Sequence, residues 1–199
     1  MLITYYGHSF LKLEGVDFSI CLDPFSNIGL NEPKVNADYV FSSHNHFDHN
    51  NFSLVQNAKV IKSSFGAFEI IKTYHDNSFG ALRGENNVLL FMLDGYKIAF
   101  LGDFGEDYNK TLINKLKNVD ILFIPIGGKY TIDSKTALNY VLEIKPKTVI
   151  PIHYKIQGST IDIEDENAFL KGVKTLKVVD SPYKYDEFCG TLLIKEQRG

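Results

Sequence analysis

Phe41-Ser42-Ser43-His44-Asn45-His46-Phe47-Asp48-His49-Asn50 places three of the six histidines of this 199-residue chain, and one aspartate, within six positions. The run follows an apolar, β-prone lead-in, Tyr39-Val40-Phe41. In an extended segment residues two apart face the same side, so His44 and His46 aim their rings at one point. If the chain then turns, Asp48 and His49 face a second point close by, and one loop offers ligands for two neighbouring cations. Imidazole and carboxylate donors without thiolate suit zinc, iron or manganese. The competing reading is a polar surface loop that is merely rich in histidine, and chance rarely clusters these residue types so tightly.

Around this loop the composition is that of a core-forming protein. A hydrophobic content of 44% over 199 residues predicts a single domain, 1–199, with a sizeable core. The formal charge of −3 argues against a general nucleic-acid binder, which carries a basic surface. Met1 to Tyr6 goes directly into strand-like sequence with no basic or long apolar leader, and no apolar run approaches the length of a membrane span. A cytoplasmic location is therefore expected. Cys21 and Cys189 lie far apart in strand-like contexts and read as buried thiols.

Before the histidine loop, short β-like runs alternate with turns: Ile3 to Tyr6, Phe10 to Leu13 and Phe18 to Leu22, the last ended by Asp23-Pro24. His8 lies at the break between the first two. After the loop, residues 51–56 are expected to form a short helix and 59–62 a strand, while 65–73 is ambiguous between helix and strand, with a β preference. Val88 to Leu101, turning at Asp94-Gly95, is the clearest hairpin signal, and it runs out into Leu101-Gly102-Asp103. Helical spacing covers 107–118, with Tyr108, Leu112 and Leu116 on one face, and the stripe Ala137, Tyr140, Val141 and Ile144. A third helix is expected over 164–173. The apolar run from Val119 to Ile126 and the strand Thr148 to Ile152, which ends in His153, read as strands covered on both faces. Leu176 to Val179 and Gly190 to Lys195 complete the strands. Strands early, then strand and helix alternating, predict an α/β class with two mixed sheets and external helices.

Three more candidates, His75, Asp103 and His153, follow strand-like segments. With the loop they make five histidines and two aspartates, enough for two cations with open coordination positions. The order Ser43-His44-Asn45-His46-Phe47-Asp48-His49, then His75, Leu101-Gly102-Asp103 and Pro151-Ile152-His153 resembles the metallo-β-lactamase superfamily. Gly7-His8-Ser9, Leu22-Asp23-Pro24, Tyr74-His75-Asp76, Arg83-Gly84-Glu85-Asn86 and Gly127 to Asp133 look like its small bacterial zinc-dependent hydrolases, related to ascorbate-6-phosphate lactonase.

The resemblance implies a four-layer αβ/βα sandwich with a site at one edge. It implies one metal position of His44, His46 and His75, a second of Asp48, His49 and His153, and Asp103 bridging them. It also implies a hydrolase with two divalent ions, zinc before manganese or iron, that uses a hydroxide bound between them on a small ester, lactone or phosphate ester. Asp48 and Asp103 are the catalytic candidates. His8, Asp23 and Asp76 are candidates for orienting ligand imidazoles. Lys129, Tyr130 and Arg83 are candidates for substrate contact, whereas Asp133 reads as a helix N-cap. The alternatives are a nuclease or phosphodiesterase, and a metal-binding protein without turnover. A small-molecule substrate is the expected partner, nucleic acid is disfavoured, and a homo-oligomer stays open.

Overall fold

The structure is a computed structural model and describes residues 1–197. In chain order the strands of the first half are β1 (Leu2–Gly7), β2 (Phe10–Glu14), β3 (Ser19–Leu22), β4 (Val35–Asn36), β5 (Tyr39–Phe41), β6 (Val55–Gln56) and β7 (Lys59–Val60). They are followed by β8 (Phe68–Tyr74), β9 (Glu85–Leu93), β10 (Tyr96–Phe100), β11 (Ile121–Pro125), β12 (Thr148–Ile152), β13 (Leu176–Asp180), β14 (Tyr183–Lys184) and β15 (Gly190–Lys195). Helices α1 (Lys110–Leu116), α2 (Ser134–Ile144) and α3 (Asn167–Leu170) lie in the second half. One sheet has the order β14-β1-β2-β3-β5-β7, the other β13-β15-β12-β11-β10-β9-β8, and β4 pairs with β6 apart from both. Each large sheet mixes parallel and antiparallel pairs.

Alternation along the strands sorts the first sheet into two faces. Leu11, Leu13, Ile20, Leu22 and Phe41 point inward, into a core shared with Leu89, Phe91, Ile98, Phe100 and Phe123 of the second sheet. Phe10, Cys21 and Val40 point outward, where Phe25, Ile28, Ala37 and Leu54 cover them. The layer outside the first sheet is therefore loop and a 3₁₀ turn at Phe52–Leu54. The α-helices lie on the second sheet: α1 and α2 are the crossovers between parallel strands β10, β11 and β12. β11 and β12 are buried at every residue, as strands covered on both faces must be.

Several expected elements shift. The 65–73 segment is strand β8, and the helix expected over 51–56 shrinks to its 3₁₀ turn before β6. Helix α1 starts late because the Asn109 side chain accepts the Leu112 N–H at 2.9 Å and caps it there, leaving Tyr108 outside and exposed. The third helix is only Asn167–Leu170. Asp133 caps α2, accepting from Thr136 N at 2.7 Å. Cys21 is buried as expected, but Cys189 is exposed, because it sits in the irregular segment before β15 and not in the strand.

Candidate metal centre

Strand polarity gathers the chemistry. β1 and β3 run the same way, each antiparallel to β2, and β5 is parallel to β3. In the other sheet β8, β10 and β12 likewise share one direction. Their C-terminal ends deliver His8, Asp23, the 42–49 loop, His75, Asp103 and His153 to one edge. The two sheets are tied there by His153 N–H donating to His8 O at 2.7 Å and Asn87 N–H donating to Ser43 O at 2.8 Å. His8, Asp23 and His153 all adopt positive φ, 55°, 46° and 51°, so three of these side chains leave strand ends through sharp, strained turns.

Asp103 is the hub. Its Oδ2 lies 3.1 Å from His75 Nε2, 3.2 Å from His49 Nε2, 3.2 Å from His153 Nε2 and 3.8 Å from His44 Nε2. On one side His44, His46 and His75 converge, with His44 Nε2 only 2.9 Å from His46 Nδ1. On the other, Asp48, His49 and His153 converge, and His8 joins them. His8 Nε2 lies 3.2 Å from His49 Nε2 and 3.3 Å from Asp48 Oδ2, so it faces the donor atoms and does not brace an imidazole from behind.

Asp23 does brace one. Its buried carboxylate accepts from Ser43 N and Ser43 Oγ at 2.6 Å and lies 2.8 Å from His49 Nδ1, which aims His49 Nε2 at Asp103. Asp76 has another task. Its carboxylate accepts four backbone N–H groups, of Ser78, Gly80, Leu82 and Arg83, so the expectation that it orients His75 gives way to a loop-building role. Among the described residues His75 Nδ1 has no hydrogen-bond partner.

The electrostatics suit cation binding. Burial, and then the neighbouring imidazoles, push His44 down to about 2, and burial first pulls His8 down to about 3. Both rings are therefore neutral at pH 7 and offer lone pairs, the form a metal needs. Burial raises the Asp103 carboxyl, but His153 and His49 outweigh it and hold Asp103 ionised. Asp103 Oδ1 is buried with no hydrogen-bond partner among the described residues, an arrangement that is costly unless a cation or a donor meets it. Burial lowers His49 and His75, but Asp103 outweighs it and raises both above the ordinary imidazole value, so the ionised carboxylate holds positive charge on those rings while His44 and His8 offer lone pairs, and this donor set fits divalent ions.

The family profile described as Beta-lactamase superfamily domain matches residues 2–153. The chain belongs to the metallo-β-lactamase superfamily. Among its relatives, a UPF0173 metal-dependent hydrolase of Carboxydothermus hydrogenoformans is 30% identical over 191 residues, covering 77% of this chain and 84% of the relative. A UPF0173 metal-dependent hydrolase of Staphylococcus aureus strain JH9 is 30% identical over 202 residues, covering 77% and 86%. A solved Thermotoga maritima structure, described as a Zn-dependent hydrolase of the metallo-β-lactamase superfamily, superposes with a TM-score of 0.80 at 29% identity over 98% of this chain and 99% of that one.

Beside this donor cluster opens a cavity of about 740 Å³, lined by His46, Asp48, His75 and Asp103 together with Phe47, Leu82, Arg83, Tyr130 and Asp162. Tyr130 is a wall residue, whereas Lys129 turns to pair with Asp162. Leu82 and Asp162 lie outside every motif, and Phe47, though inside the histidine run, brings no donor atom, so nothing in the sequence marks the three as wall. Ser43, the link between Asp23 and His44, stands inside the histidine run, but only the fold shows what it touches.

Proposed function

We propose that the chain is a hydrolase holding two divalent ions, zinc before manganese or iron, that cleaves a small ester, lactone or phosphate ester. The observation that carries this is the convergence of His49, His75 and His153 on one oxygen of Asp103, with His44 and His46 on one side and Asp48 on the other. His44, His46 and His75 would hold one ion, Asp48, His49 and His153 the second, and Asp103 would bridge them. When bound, the ions supply a water ionised at neutral pH and an electrophile for the attacked carbonyl or phosphoryl oxygen.

The remaining chemistry belongs to the chain. Asp48 is ionised, since the hydrogen bonds of His49 and His8 outweigh the burial that raises its carboxyl. Asp48 lines the cavity, where its carboxylate would orient the attacking water. Asp23 holds His49 in one tautomer through Nδ1, which keeps Nε2 free to act as a donor. No serine or cysteine nucleophile is required.

Metal analysis of purified protein, coupled to a panel of lactones, carboxylic esters, phosphomonoesters and phosphodiesters, tests the proposal. Wild type should bind two equivalents and turn over at least one class, while His44→Ala and Asp103→Ala should lose metal and roughly 100-fold or more of the activity. Two bound equivalents with no hydrolysis across the panel would sink the enzyme reading. Full metal retention by His44→Ala would sink the ligand set.

A further inference from the structure

The loop from His75 to Gly84 is cross-linked by its own hydrogen bonds. Its two ends close through His75 N–H donating to Gly84 O at 3.1 Å. Inside it the Asp76 carboxylate, itself buried, gathers Ser78 N at 2.7 Å, Gly80 N at 3.0 Å, Leu82 N at 3.0 Å and Arg83 N at 2.7 Å. The backbone of Arg83 is thus pinned by the residue next to His75. Its side chain lies against the cavity, with the guanidinium carbon 5.7 Å from the centre of the Tyr130 ring.

Arg83 has an unusual balance of partners. Among the described residues its guanidinium forms no ion pair and no side-chain hydrogen bond, only the contact with Tyr130. Two other basic groups near this wall are engaged: Lys129 pairs with Asp162, and Lys155 donates to Ser159 O and Ile161 O. A guanidinium over an aromatic face still has its in-plane N–H groups available, and these take a carboxylate or phosphate bidentately.

We propose that Arg83, seated on Tyr130, is the specificity-determining residue of this cavity, binding an anionic carboxylate or phosphoryl group that the substrate carries in addition to the bond being cleaved. The substrate class is therefore an anionic ester or lactone, not a neutral one. The turnover part of this rests on the hydrolase reading above, whereas the binding part does not.

The test uses zinc-loaded wild type, Arg83→Gln and Arg83→Lys, with three 4-nitrophenyl esters that differ only in an acyl tail ending in methyl, carboxylate or phosphonate. The corresponding amides, which are not expected to turn over, are titrated by calorimetry. Wild type should prefer the anionic ligands by roughly 10- to 100-fold, the worth of a charge-assisted bidentate pair. Arg83→Gln should erase that preference through KM and Kd, leaving the metal content unchanged. Arg83→Lys, which keeps charge but loses the fork, should fall between. The tail that gains more identifies carboxylate or phosphate as the natural group. Esters cleaved with no anionic preference, or an Arg83→Gln defect equal for all three tails, would overturn the proposal while the hydrolase reading stands. Arg83-dependent binding of anionic amides without cleavage of any ester would leave the anion site standing and remove the hydrolase reading.

Discussion

Asn86 holds Asp103 in place. Its side-chain amide donates to Leu101 O and Thr73 Oγ1, both at 2.9 Å, while its carbonyl oxygen accepts from Asp103 N at 3.1 Å. The residue is completely buried, so its removal strands a carbonyl and an N–H away from water. Asn86→Ala should cost about 2–3 kcal/mol in denaturant unfolding. Metal affinity should fall roughly 10- to 100-fold, the usual range for groups that position ligands. Unchanged affinity in a metal titration would show that the Asp103 backbone holds without it. Gly102 offers a sharper case, because its φ is +56° and an added Cβ would sit 2.2 Å from Ser43 Cβ. Gly102→Ala should therefore destabilise by roughly 2–4 kcal/mol and disturb Ser43, through which Asp23 and His44 are linked; a melting curve and the metal stoichiometry check both effects. Neither role is visible in the sequence. Asn86 reads there as one residue of Arg83-Gly84-Glu85-Asn86, and the partners that give it meaning come from the ends of two other strands, β8 and β10.

The second sheet is stitched at the opposite end of its strands by Asp120. This carboxylate accepts from Lys97 N at 2.8 Å and pairs with Lys147 Nζ at 2.7 Å, so it joins the starts of β10, β11 and β12. Burial raises the Asp120 carboxyl, but the Lys147 ammonium and the Lys97 N–H outweigh it and hold it below the ordinary carboxylate value. Because the folded pKa is depressed, the contribution is fully present above about pH 4, the unfolded value, and is lost as pH falls through the folded one. Asp120→Asn should cost about 1 kcal/mol at pH 7, modest because Lys147 is largely solvated. The gap between wild type and variant should close below pH 4, and a gap that stays constant to pH 2 would assign the effect to packing. The elements legible in the sequence were those long enough to show a period. The 88–101 hairpin carries its alternation and its Asp94-Gly95 turn, and α2 carries its apolar stripe and its Asp133 cap. Strands β4, β6 and β14 are two residues each, too short for any period, and exist only because a neighbour offers them hydrogen bonds. The late start of α1 follows from Asn109 competing for the Leu112 N–H, a choice that helical spacing alone does not reveal.

At the scale of the whole molecule the donor cluster is a clasp between the two sheets. The 42–49 loop and His8 come from the first sheet, and His75, Asp103 and His153 from the second. The loop was legible because its four donors are crowded within six residues, and the superfamily resemblance added the three distant ones. The entry of His8 into the donor set was not legible, because it depends on how the end of β1 meets the end of β12 across the sandwich. A cation that bridges both halves binds the folded form and not the separated sheets, so loading must appear as global stability. Metal at about 100 times its Kd should add about 2.7 kcal/mol, which for a chain of this length raises Tm by roughly 5–10 °C. His44→Ala should forfeit a large share of that shift. His8→Ala should reduce it as well, and an intact shift would show that His8 only fills space beside Asp48. The measurement is a set of thermal scans of wild type and both variants, stripped with chelator and then reloaded with zinc or manganese. Equal Tm values for the stripped and the reloaded wild type would mean that the clasp forms without an ion, and would remove metal binding from the account of this site.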